Sequence, residues 1–520
     1  MRNGHRPASC FGCHHAMSRR GFLKGCGAVA AAGVWTPVAG IAEEPKAGPV
    51  RVALVFLANS QEREIWPYPG FDCAGRQAEI VKLLKQGCPQ VEFIPVVVAR
   101  PDDAQKAIAM KDSVDGYLVY TVTLNWGLMG SIVQLGQLGK PMLVADEYLG
   151  GSGVFLVGYS GLCRQGLSAG AVSTTRPADL VAVARCFADI RKPGMTAAAF
   201  ASQCAEVYRS TFAPTGPLEC RDDRVAVADI GECVKRLKQS RFLSVGPGPS
   251  GQEQEFLGTK GLHVSFEEFR SLYDEVDRDQ AAEWGRRWSA QAEKVVEPTA
   301  EWIQKAGAVY LAMLALMKKH GTDSITMNCL GGFNSGQLPA YPCLGFMQLL
   351  NDGGQGVCEA MPDDSISTLM GRILSGRAGY VSDPALDTSK NQIVYAHCMA
   401  LTKVFGPKGE SNKFRIRTLH NRDPRGCCAQ SFLPEGYMTT SFRTNVAQKK
   451  MVIHQAKAVG NLDLDRGCRT QLVGEVRGDI GKMFREWDFF GWHRVTVYGD
   501  VQEPLIEFGK ALGLEITKEA

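Results

Sequence analysis

From Pro49 the chain alternates two kinds of segment, and that alternation restricts the fold more than any other feature of the sequence. VRVALVFLA (50–58) is a continuous apolar run of buried-strand length, and GRQAEIVKLLKQG (75–87) is an amphipathic helix closed by glycine. VEFIPVVVA (91–99) and DDAQKAIAMKD (102–112) repeat the pair, and VDGYLVYTV, GLMGSIVQLGQLG and KPMLVADEYLG carry it to residue 150. Strands buried on both faces and joined by helices predict a Rossmann-like, doubly wound parallel sheet, with ligand-binding loops at the carboxyl ends of its strands.

The alternation weakens further on. Residues 166–325 read as a second, helix-rich α/β domain with a strand-like FLSVGPGPSG and a long helical tract from Arg278 to His320. FLSVGPGPSG lacks the Lys-Ser/Thr of a phosphate cradle and reads as a turn after a strand. Beyond residue 325 a mixed α/β segment passes into a helix-poor, β-rich tail with runs such as KMVIHQAKAVG and WHRVTVYGD, a barrel-like domain expected over residues 326–520. The first domain is expected over 43–165.

Residues 1–42 read as an export signal. No acidic residue precedes Glu43, Arg19, Arg20 and Lys24 form a positive region, and a weakly apolar stretch follows to Gly40-Ile41-Ala42. The twin arginines predict export in the folded state to the periplasm or beyond, with cleavage after Ala42 and no membrane span remaining. Cys10-Phe11-Gly12-Cys13-His14 has haem-attachment spacing, but it lies upstream of the arginines and is expected to leave with the leader. Folding before export would let a weakly held ion such as Mn²⁺ be chosen in the cytoplasm, away from competing Zn²⁺ and Cu²⁺.

A net charge of +4 argues against nucleic acid or an anionic membrane surface as partner and leaves a small molecule. The cysteines beyond the leader are scattered through apolar runs without paired spacing, so buried thiols are expected, not disulfides or a zinc ribbon.

Three metal-capable side chains in the C-terminal part stand at strand ends or loops. Glu359 follows the glycine-rich turn of GGQGVCE, Asp383 closes GYVSD before Pro384, and His493 opens the strand of WHRVTVYGD. Two carboxylates and an imidazole, with positions open to water and substrate oxygens, suit Mn²⁺ or Mg²⁺ better than a closed zinc site. Asp146-Glu147, after PMLVA, is a further strand-end acidic pair, open between a sugar-binding role and a solvated turn. Trp66 begins WPYPGFD, open between a substrate loop and a packed turn.

DGGQGVCEAMPDDSISTLMGRILSGRAGYVSD, then VYAHC and finally GWHRVTVYGD, resembles the C-terminal half of the L-fucose/L-arabinose isomerase superfamily. The 24-residue separation of Glu359 and Asp383 fits that pattern. The chain departs from it where Cys358-Glu359 is followed by Ala360-Met361-Pro362-Asp363-Asp364, so that Asp363 or Asp364 takes the second acidic place, and where His397-Cys398 is followed by Met399.

The resemblance implies an L-fucose isomerase-like fold and a homo-oligomer, trimeric or hexameric. It implies Glu359, Asp383 and His493 as metal ligands, with the two carboxylates also moving the proton between C-2 and C-1 of an open-chain sugar through an ene-diol. His397 and Asp364 are placed behind the ligands or against substrate. The activity expected is aldose–ketose isomerisation of a sugar or sugar derivative. The alternatives are a non-catalytic periplasmic carbohydrate-binding protein of the same fold and, if the leader Cys/His motif is retained, an exported redox protein.

Overall fold

The computed structural model describes residues 48–59, 67–151, 153–419 and 422–520. The expected export signal with its C-x-x-C-H, Trp66, and His420 of TLHNRDPRG lie outside the described residues. Residues 48–520 form one compact unit built on three principal sheets.

The first sheet contains β1 (Val50–Leu57), β2 (Val91–Val98), β3 (Gly116–Thr121), β4 (Met142–Asp146) and β5 (Gly170–Val172), in the order β2-β1-β3-β4-β5. Every pairing is parallel. This is the doubly wound order in which the chain reverses direction between β1 and β3. The uninterrupted apolar runs follow from burial: β3 and β4 are buried at every position and β1 at all but Arg51.

The second sheet is mixed. It contains β6 (Arg241–Gly246), β7 (Glu253–Phe256), β8 (Thr259–Ser265) and, beyond the two-residue β9 (Lys294–Val295), β10 (Ser324–Met327) and β11 (Gln355–Cys358). The order is β11-β10-β6-β8-β7, with only β7 antiparallel to its neighbour. The expected helical tract Arg278–His320 is two helices, Arg278–Gln291 and Ala300–His320. Between them β9 joins β14 (Phe414–Arg417), and Pro298, which lacks a donor, precedes the cap Thr299.

The third sheet closes on itself. β12 (Tyr380–Asp387), β13 (Gln392–His397), β16 (Met438–Asn445), β17 (Lys450–Asn461), β18 (Thr470–Val476) and β19 (Arg494–Tyr498) run in the order β16-β19-β12-β13-β18-β17, and β17 returns to β16. All six pairings are antiparallel, which makes a six-stranded barrel without a free edge round its girth. β15 (Cys428–Ser431) pairs with β14 outside it, and β20 (Glu515–Lys518) adds to the part of β17 that β18 leaves uncovered. The α/β class and the barrel expected of the tail are both present.

β12 does not stop at Pro384 as the sequence suggests; it continues to Asp387. β19 pairs with β12 only at Tyr380–Ser382, so the missing N–H of Pro384 falls where that neighbour makes no ladder bonds. Helix Pro362–Ser375 connects β11 of the second sheet to β12 of the barrel, with proline in its first turn and Gly376 as its left-handed cap. Its Ile366, Leu369, Met370 and Ile373 share one core with Phe442, Val495 and Val497 of the barrel strands.

The chain end is anchored inside the barrel structure. Arg494, fully buried, donates Nε and Nη2 to Glu519 at 2.9 and 2.7 Å, and His454 Nδ1 lies 2.6 Å from the same carboxylate. Burial alone would raise the Glu519 pKa, but the Arg494 and His454 charges overcome it and bring it down to about 2, against an ordinary 4.5. An acid depressed on folding stabilises the native state fully above its unfolded pKa, and that gain disappears as pH falls through the folded value. Glu519→Gln should therefore destabilise the fold at neutral pH by about 3–5 kcal/mol, since Arg494 is left buried without its counter-ion. Thermal melting across pH should show the wild-type advantage shrinking between about pH 4.5 and pH 2.

Candidate metal centre

The ladder between β12 and β19 builds the centre of the site. Tyr380 faces Thr496, Val381 faces Val495 and Ser382 faces Arg494, so the next rung sets Asp383 opposite His493. His493 Nε2 is 3.2 Å from Asp383 Oδ1. The neighbouring Trp492 donates its indole N–H to that same oxygen at 2.7 Å and fixes the carboxylate from the other side.

Glu359 arrives from a different layer, at the carboxyl end of β11. Its Oε2 lies 3.7 Å from His493 Nε2 and its Oε1 lies 4.0 Å from His397 Nε2. Glu359 and Ala360 both have left-handed backbone, at φ +68° and +53°, which non-glycine residues seldom adopt. Two such residues in succession, costing roughly 1–3 kcal/mol each, persist only where the surroundings impose them. Here the chain must turn sharply from β11 into the helix at Pro362 while the Glu359 side chain reaches the barrel mouth.

His493 is held from behind by Asp364. This carboxylate, fully buried in the first turn of helix Pro362–Ser375, lies 2.7 Å from His493 Nδ1. Its other oxygen, Oδ1, is 2.7 Å from Arg443 Nη1, an ion pair whose alignment falls short of a hydrogen bond. Gly491 makes room for that arginine: its φ is +93°, and a Cβ there would stand 2.6 Å from Arg443 Cζ.

The consequence is that His493 Nε2 is buried and hydrogen-bonds to no group among the described residues, while two carboxylates face it. With Nδ1 committed to Asp364, Nε2 is the nitrogen free to ligate, the arrangement by which a carboxylate behind a histidine sets tautomer and ring direction. Glu359, His397 and His493 also form a group whose ligand atoms all lie within 4.8 Å of one another.

The electrostatics favour a cation. Burial raises the Glu359 carboxyl above its ordinary range, and the two histidines only partly offset this. Burial also works against ionisation of Asp364, yet the Arg443 and His493 charges hold it below the ordinary value. For His493 the balance reverses: burial opposes a charged ring, but Asp364, Asp383 and Glu359 outweigh it and push the pKa well above the usual value. Two carboxylates facing the buried His493 ring supply the negative charge and the oxygen donors that suit a divalent ion. The residues present thus fit the divalent cation expected from the sequence.

Glu359, Asp383 and His493 come together, with His397 beside them and Asp364 behind. Asp146 and Glu147 do not hydrogen-bond to any of these. They are not a solvated turn either, being only 5% and 2% exposed. Glu147 accepts from Tyr120, Arg76 and Arg466 at 2.6, 2.9 and 2.6 Å, which clamps the first sheet to a barrel loop. Asp146, without a hydrogen-bond partner among the described residues, has its pKa raised well above normal by burial and by Glu147.

In WPYPGFD, Asp72 caps helix Cys73–Gly87 by accepting from Gly75, and Tyr68 packs edge-on against Phe71.

Arg443, Gly491 and Trp126 were not evident from sequence. Arg443 stands in TTSFRTNV, where an arginine within a buried strand was the available signal. Trp126, 51% exposed, meets Trp492 edge-on with centroids 5.1 Å apart. It comes from the loop after β3, and nothing local marks it.

No family model matches the chain. Among curated proteins it is similar to sulfoquinovose isomerase of Priestia aryabhattai and to the protein of the same name from Priestia megaterium. Each is 25% identical over 304 residues, covering 55% of this chain. The chain spans 66% of the length of these relatives. The likeness is therefore a distant one to sugar isomerases.

Asp364→Asn keeps the shape behind His493 and removes its charge. Titration calorimetry with Mn²⁺ should show affinity falling by about 10–100-fold, the usual effect of losing a carboxylate behind a metal-bound histidine. Unchanged affinity would remove Asp364 from that role.

Proposed function

We propose that this protein is a metal-dependent aldose–ketose isomerase acting on a sugar or sugar derivative through an ene-diol. One observation carries the reading: a buried imidazole nitrogen without a hydrogen-bond partner among the described residues, aimed at two carboxylates from different layers and oriented from behind by a third. The likeness to proteins named sulfoquinovose isomerase supports it and makes a sulfonated hexose a reasonable member of the substrate panel.

Glu359, Asp383 and His493 would hold the cation, Mn²⁺ or Mg²⁺, with His397 beside it. When bound, such an ion polarises neighbouring carbonyl and hydroxyl oxygens and stabilises negative charge developing on them. The remaining work belongs to the chain. Glu359, whose carboxyl burial raises above its ordinary range and which faces His493 and His397 from the end of β11, carries the proton between C-2 and C-1. Trp492 keeps Asp383 turned to the centre, so this carboxylate serves mainly as ligand. Trp126 offers an exposed aromatic face beside Trp492 against which the apolar face of a sugar packs.

Export through the twin-arginine pathway and assembly into a trimer or hexamer belong to the same proposal; secretion assays and light scattering address them.

The decisive experiment supplies Mn²⁺ in D₂O with aldoses, ketoses and sulfoquinovose and follows interconversion and deuterium entry at C-1 and C-2 by NMR. Interconversion with solvent deuterium is the expected result. Ligand binding without turnover or exchange would favour a carbohydrate-binding protein. Glu359→Gln and Asp383→Asn should each abolish turnover with circular dichroism unchanged. Trp126→Ala should raise KM by about tenfold with a smaller effect on kcat, as expected when binding common to ground and transition states is lost.

A further inference from the structure

Behind Glu359 lies a second group of donors of different chemical character. Cys358 ends β11, Cys398 follows β13, and Cys343 begins helix Cys343–Asn351; all three are free thiols. Cys398 Sγ is 3.7 Å from Cys358 Sγ, 3.9 Å from Cys343 Sγ and 3.5 Å from His397 Nδ1. One ligand atom from each of Cys358, His397 and Cys398 can be chosen so that all lie within 4.8 Å of one another.

These separations are close to the edges of a coordination polyhedron. Donors bound tetrahedrally to Zn²⁺, at about 2.3 Å for sulfur and 2.0–2.1 Å for nitrogen, stand about 3.8 Å (S···S) and about 3.6 Å (S···N) apart. Two strands, β11 and β13 with the residue that follows it, thus place two sulfurs and an imidazole with the Cys398 separations close to those a thiophilic ion would impose. Cys343, 3.9 Å from Cys398, is near enough to approach as a further donor. Cys358 is buried, but Cys398 is partly exposed and gives the group a way in.

We propose that Cys358, Cys398 and the Nδ1 edge of His397 form a second metal site, selective for soft or borderline cations such as Zn²⁺, Cd²⁺ or Cu⁺. Thiolate and imidazole donors select these ions, whereas the carboxylate set on the other side of His397 favours Mn²⁺ or Mg²⁺. For a divalent ion, with the His397 ring neutral and its proton on Nε2, two S–H bonds break, two metal–sulfur bonds and one metal–nitrogen bond through the Nδ1 lone pair form, and two protons leave to solvent. The proposal does not require the isomerase reading, since it concerns other donor atoms.

The test titrates the full chain, under reducing conditions, with Cd²⁺ alone and follows the ultraviolet sulfur-to-cadmium charge-transfer band. A band saturating at one equivalent is expected. Cys358→Ser and Cys398→Ser should each weaken the binding by at least about tenfold, the lower end of what even an indirect partner of a ligand contributes. Glu359→Gln and Asp383→Asn, which remove the neighbouring carboxylates, should leave the band in place, as should Cys220→Ser, which alters a thiol elsewhere. A wild-type chain without the band would overturn the proposal. So would a band of undiminished affinity in both the Cys358→Ser and Cys398→Ser proteins. Failure of the isomerase reading would instead appear as an absence of turnover with this band intact.

Discussion

The hydrogen bond between Asp364 and His493 is the contact on which the arrangement of the site depends. A fully buried carboxylate is costly to hold unless compensated, and Asp364 is compensated from two directions, by Arg443 and by the His493 ring. Its place in the first turn of helix Pro362–Ser375 adds the favourable end of the helix dipole. Because that helix joins the second sheet to the barrel, the bond fixes where one layer sits against the other. Glu359, three residues before the helix, is thereby brought to a histidine more than a hundred residues away in sequence.

The first sheet contributes support from outside. Gly153, with φ +68°, packs so tightly that a Cβ would stand 2.2 Å from the Pro384 carbonyl oxygen, next to Asp383. Arg164 pairs with Asp488, Ser173 donates to the Leu386 carbonyl at 2.7 Å, and Glu147 holds Arg466. Each contact ends on β12 or on a barrel loop. The carboxyl ends of the parallel strands, where doubly wound folds usually bind ligands, are here partly given to bracing the barrel and to presenting Trp126. This explains why Asp146-Glu147, the strand-end acidic pair open between a sugar-binding role and a solvated turn, is buried, with Glu147 serving as a clamp.

What sequence made legible follows what is local or periodic. Continuous apolar runs separated by amphipathic helices identify the first sheet, because burial on both faces leaves a pattern within each strand. The candidate residues Glu359, Asp383 and His493 were visible because each stands in a short stretch that resembles a known family. Their supports were less visible. Arg443 and Gly491 matter only through a contact between two barrel strands and the turn before one of them, and no spacing in the chain announces that contact. Asp363 and Asp364 could not be told apart by type or position; the helix phase turns Asp364 into the barrel, whereas Asp363 accepts from the Val446 backbone N–H. The break in the Arg278–His320 tract was signalled by Pro298, but its partner strand lay more than a hundred residues downstream.

The strained turn after β11 separates two kinds of chemistry. Cys358 ends the strand with its sulfur among thiols, and the next residue, at φ +68°, carries its carboxylate toward His493. In regular extended backbone these neighbours would also point to opposite sides, but the chain would continue along the sheet and carry Glu359 away from the barrel. The left-handed pair Glu359-Ala360 reverses the chain at once, so that soft donors stay behind the strand end and oxygen donors stand in front of it. His397 lies at the boundary, Nδ1 toward Cys398 and Nε2 toward Glu359. A single ring therefore senses both environments, and whatever fixes its orientation on one side limits what it can do on the other.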